Sequence, residues 1–150
     1  MKKIMFLSII VLLVLVTGCG DKKLICQYSS TNSYYGSDNV FSKTLFDKKG
    51  KMTKYIINEK MSYNDQYLED SGLTMDALYE QYKDYCSSLP ESKNVECSFS
   101  KNGNTLTANV EYNISKMTEK EIEDLSLTSY VSLTEDEIKT QYKSQGFTCK

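Results

Sequence analysis

The chain has 150 residues, with 18 basic and 20 acidic side chains for a net charge of −2, and it contains neither histidine nor tryptophan. Every basic residue is lysine, and the slightly acidic balance argues against nucleic-acid binding or a polybasic grip on a membrane surface. Without histidine there is no Ser-His-Asp or Cys-His nucleophile pair, no imidazole general base and no mixed Cys/His zinc site.

The first segment reads MKK and then IMFLSIIVLLVLV, two lysines before an apolar run. This is the n-region and h-region pattern of a secretory signal. About 13 helical residues at ~1.5 Å each span ~20 Å, short of the ~30 Å hydrocarbon core, so a cleaved signal is expected rather than a permanent membrane helix. The run ends in Val16-Thr17-Gly18-Cys19, which resembles the lipobox of bacterial lipoproteins. That resemblance implies that Cys19 carries a diacylglycerol and that residues 1–18 are removed as a lipoprotein signal peptide. Two acyl chains meet the requirement for stable anchoring. Residues 19–23 are then the lipidated cysteine and a short polar tether, and residues 24–150 form one domain.

Four cysteines remain beyond the anchor: Cys26, Cys86, Cys97 and Cys149. An even number in an exported chain points to two disulfides, with free thiols as the alternative. No C-x-x-C pair is present to suggest a metal or redox motif.

LICQYSS (24–30) places Leu24, Cys26 and Tyr28 on one face of a first strand. The polar TNSYYGSDN that follows is expected as a loop, and Tyr34 and Tyr35 within it are candidates for ligand contact. VFSKTLF (40–46) and MTKYIINEKMSY (52–63) then form a hairpin with Gly50 in its turn. In the third run Tyr55, Ile57, Met61 and Tyr63 share a face, and Glu59 breaks the pattern. Met75, Leu78, Tyr79, Tyr82, Cys86 and Leu89 recur at helical spacing, with Thr74 as N-cap and Pro90 as a stop.

Val95, Cys97 and Phe99 alternate with polar residues, as do Leu106, Ala108, Val110, Tyr112 and Ile114. With Asn102-Gly103 as the turn between them, they predict a half-buried antiparallel hairpin. Thr118-x-x-Glu121 and Thr134-x-x-Glu137 have the capping-box spacing and predict two closing helices, the second ending at Gly146 before a short terminal strand. The paired carboxylates Glu119 with Glu123 and Glu121 with Asp124 are expected as a solvated helix face rather than as a calcium site or an acid/base pair.

The order of elements predicts an α+β fold, an antiparallel sheet with helices packed on one face. Cys86, on the apolar stripe of the main helix, lies a short connection from Cys97, which is inward on the next strand. These two should pair, leaving Cys26 for Cys149 at the two ends of the domain.

The lipobox followed by GDK, the helix LYEQYKDY, the strand leading into YNISKMTEKEIEDL and the closing helix into KSQGF resemble the YehR-like small bacterial lipoproteins. The resemblance implies a single α+β domain on a lipid anchor and brings no catalytic residues or cofactor with it. The expectation is a non-enzymatic binding or interaction module, monomeric, with no metal and no cofactor. It would be held by its diacylglyceryl cysteine on the extracytoplasmic face of a bacterial, Gram-positive cell membrane. The alternative is a structural cell-envelope lipoprotein without a small-molecule ligand, and a lined concave pocket in the domain would favour the first reading.

Overall fold

Alternating apolar and polar side chains fix one face of every long strand toward a core. A computed structural model describes residues 22–90 and 92–150, so Cys19 and the expected signal peptide lie outside the described residues. The strands are β1 (Lys22–Asn32), β2 (Gly36–Phe46), β3 (Met52–Tyr63), β4 (Val95–Asn102), β5 (Thr105–Tyr112) and β6 (Thr148–Cys149). They form one antiparallel sheet in the order β4-β5-β3-β2-β1-β6. The helices are α1 (Asp65–Ser71), α2 (Met75–Ser88), α3 (Glu119–Asp124), α4 (Thr128–Val131) and α5 (Glu135–Ser144), with a 3-10 turn at Ile114–Lys116. The fold is α+β, as expected. Among the described residues no helix is long and apolar enough to cross a membrane.

The register sets the inner face in rows. Leu24, Thr44, Tyr55, Tyr112 and Val95 form one row, and Cys26, Ser42, Ile57, Val110 and Cys97 form the next. Tyr28, Val40, Glu59, Ala108 and Phe99 follow, then Ser30, Asp38, Met61, Leu106 and Lys101. Helices cover the two ends of this face separately. At the first end Leu24, Phe46, Tyr55 and Tyr112 pack under Ile138 of α5, with Leu127, Tyr130 and Leu133 around it. At the other end Met61 and Leu106 meet Leu78 of α2. Ile138 and Phe46 are wholly buried, and a side chain of that kind contributes about 1.5–3 kcal/mol through the area it removes from water.

Both disulfides have the expected pairing. Cys86–Cys97 ties α2 to the edge strand β4 across 11 residues of sequence, and Cys26–Cys149 holds β6 against β1 across 123. Ile25 and Lys150 exchange both backbone hydrogen bonds at 2.9 Å, so Cys26 and Cys149 sit at the adjacent, closer pair, with Cα atoms 4.1 Å apart.

Local structure departs from the sequence reading in four places. Lys22 and Lys23, read as tether, belong to β1 and pair with Phe46 and Leu45. The loop after β1 is shorter than expected, because Asn32 Oδ1 accepts from the backbone N–H groups of Tyr34 (2.8 Å) and Tyr35 (3.2 Å) and closes a tight turn. Gly36 then enters β2 at φ 120°, against the backbone of Ser62, where a Cβ would lie 1.9 Å from the carbonyl oxygen. The β4/β5 turn is Gly103-Asn104 rather than Asn102-Gly103, since Asn102 still pairs with Thr105. Finally, α1 and α4 are additional helices.

Candidate functional site

The inner face is left partly open where α2 rises from the sheet, and a cleft of about 590 Å³ occupies the gap. Its floor is made by Ile57, Ala108 and Val110, and Phe99 and Tyr112 close its sheet side. The helix side is Gln81, Tyr82, Asp84, Tyr85 and Ser88. These α2 residues recur at three- and four-residue spacing, so one stripe of the helix looks into the cleft. The helix is fixed at both ends: Thr74 Oγ1 accepts from the Ala77 N–H at 3.1 Å, and Cys86 is bonded to β4.

The aromatic walls are held in place by their own contacts. The Tyr82 ring lies 5.3 Å from that of Phe99, and its hydroxyl donates to Met61 Sδ at 3.1 Å. Tyr85 is 48% exposed and stands over the opening. The hydroxyl of Tyr112 is pushed up in pKa by burial, with the Tyr85 phenol beside it. Tyr63 and Tyr82 are also shifted upward, burial being the main cause in both.

Glu59 is the carboxylate on the sheet side of this lining, and Asp84 is an exposed one on the helix side. Burial raises the pKa of Glu59, and the neighbouring Asp38 raises it further. Asp38, diagonal to Glu59 on β2, is likewise raised by burial, and its Oδ1 is buried with no hydrogen-bond partner. A second hollow of about 630 Å³ lies on the opposite face of the sheet, with a mixed lining in which Gln27, Asn39, Asn58 and Lys60 stand beside Phe41.

Sequence reasoning offered Tyr34 and Tyr35 as ligand residues. The structure places both at the tip of the β1/β2 hairpin beside α1, away from the cleft lining. The Tyr34 hydroxyl donates to Asp70 at 3.2 Å and its ring meets Tyr67 edge-on at 5.6 Å, although the residue is still 50% exposed. The Tyr35 hydroxyl is 3.1 Å from Ser30 Oγ. Two of the α3 carboxylates are occupied locally. Glu121 accepts from Ser92 Oγ (2.6 Å) and the Thr118 N–H (2.7 Å), which lower its pKa to about 2, and Asp124 pairs with Lys120. Among the described residues no three Cys, Asp or Glu side chains come together as a metal-ion site.

Glu59 and the α2 stripe were the residues missed. The signal for Glu59 was in the sequence, as the one charge on an otherwise apolar face of β3. Tyr82 and Tyr85 gave no signal, because a ring lining a cleft and a ring filling a core recur at the same helical spacing.

No family model and no curated protein matches the chain. Two solved structures resemble it. A protein from Streptococcus pneumoniae TIGR4, solved by NMR, is 8% identical with a TM-score of 0.55, over 100% of this chain and 97% of that one. The NMR structure of the YehR protein of E. coli is 16% identical with a TM-score of 0.51, over 87% of this chain and 92% of that one. At these identities the likeness is one of fold, and the chain has a YehR-like fold.

Proposed function

We propose that this protein is a lipoprotein, anchored through Cys19 to the extracytoplasmic face of a bacterial membrane, whose domain is a non-enzymatic binding module taking its ligand in the cleft beneath α2. The cleft carries the reading: an open, largely apolar and aromatic hollow with the carboxylates of Glu59 and Asp84 in its lining has the make-up of a small-molecule site. A purely structural envelope protein would have no use for such a hollow, and closing it would bury more apolar surface. The signal-like N-terminus and the lipobox resemblance support the anchor, and the two disulfides accord with an oxidising location.

Two substitutions test the halves of this proposal. Cys19→Ala should end incorporation of labelled fatty acid and release the protein from the membrane fraction; unchanged labelling would refute the anchor. Ala108→Phe fills the cleft floor from β5 and should abolish retention of any small molecule that accompanies the wild-type protein out of its own membrane, as read by mass spectrometry. Equal retention by a folded Ala108→Phe protein would place binding elsewhere.

A further inference from the structure

The cleft carries a negative charge that its own chain does not answer. Glu59 projects from β3 into the lining, and Asp38 stands next to it from β2, one row further along the inner face. The ion pairs among the described residues are Lys54–Glu111, Lys83–Glu80, Lys101–Asp76 and Lys120–Asp124, and neither Glu59 nor Asp38 takes part. Lys60 and Lys43 belong to the opposite face by strand alternation, Lys22 lies at the far end of the inner face beside Phe46, and Lys101, in the same row as Asp38, is held by Asp76. The lining also holds the acid Asp84, exposed on α2, and the phenols of Tyr82, Tyr85 and Tyr112, with Tyr63 beside Tyr82; none of these brings a positive charge.

Burying a carboxylate without a cation or a full set of donors disfavours the folded state. Asp38 Oδ1 has no donor at all, so the arrangement is incomplete within the chain. Resting on the ligand-binding reading above, we infer that the cleft takes a small organic cation with an apolar tail. Its ammonium group lies against Glu59 on the Asp38 side, and its tail runs over Ile57, Ala108 and Val110. The rings of Tyr82 and Phe99 flank the charged end and suit it, since aromatic faces attract cations. An anionic ligand of the same shape would meet the carboxylates of Glu59, Asp38 and Asp84 and is disfavoured by repulsion.

The test uses the full-length protein in a neutral detergent and three probes of one shape: phenylbutylammonium, phenylbutanol and phenylbutanoate, titrated calorimetrically. The ammonium should bind about tenfold or more tighter than the alcohol, the typical gain from a charge-assisted contact, and the carboxylate weakest. Glu59→Gln should bring ammonium and alcohol to within about twofold of each other, because the charge that separates them is removed. Equal binding of ammonium and alcohol to the wild type would overturn the cation inference and leave the cleft as a binding site. A preference that survives Glu59→Gln and Asp38→Asn together would also overturn it. No binding by any of the three would remove both the inference and the binding reading beneath it.

Discussion

Two glutamates with opposite shifts show how position decides what a carboxylate does. Glu121, at the third position of α3, is surrounded by donors that hold its pKa at about 2. Its contribution to stability is therefore present above its ordinary value near 4.5 and is lost as pH falls toward 2. Glu59 is the reverse case, raised by burial and by Asp38. Its ionisation works against the fold, so the destabilisation is absent below pH 4.5 and grows as pH rises through the folded-state value. Glu59→Gln should accordingly raise the thermal midpoint at pH 7 by a few degrees and leave it nearly unchanged at pH 4, as followed by circular dichroism. A lower midpoint at pH 7 would mean that the carboxylate holds the domain together rather than serving a ligand. A residue that weakens its own fold is expected at a site shaped by function.

At the level of elements, legibility in the sequence followed length and local chemistry. Both capping boxes form as their spacing predicts: Thr118 and Thr134 accept from Glu121 and Glu137 N–H, and the glutamates accept in return. The inward sets of β4 and β5 were readable because alternation runs unbroken from Val95 to Ser100 in β4 and along the whole of β5. α1 has seven residues, no side-chain N-cap bond and no buried residue, and α4 has four residues, so neither repeats a helical period often enough to show in the sequence. The start of β2 was hidden because SYYGS has turn composition, and its pairing with β1 on one side and β3 on the other makes it strand. The cleft itself was not legible for the same reason. It exists because Cys86–Cys97 sets α2 over β4 and β5, so its two walls come from segments that share no local pattern.

For the whole molecule, the two disulfides divide the labour of closure. In the chain-entropy view the 11-residue link contributes about 3 kcal/mol and the 123-residue link about 5 kcal/mol. The long link joins the first strand to the last, closing the end of the sheet packed under α5. The short link holds the helix that borders the cleft. The sheet is thus firm at both edges, and the open part of its inner face lies between two separately packed groups, one under the C-terminal helices and one under α2. On the proposed binding role ligand enters there and not at the hairpin tip, and tyrosine reports on both places. In the full-length protein with ring-labelled tyrosine, phenylbutylammonium should shift the NMR signals of Tyr82, Tyr85 and Tyr112 and leave those of Tyr34 and Tyr35 in place. Shifts at Tyr34 and Tyr35 with the three cleft tyrosines unmoved would contradict the account.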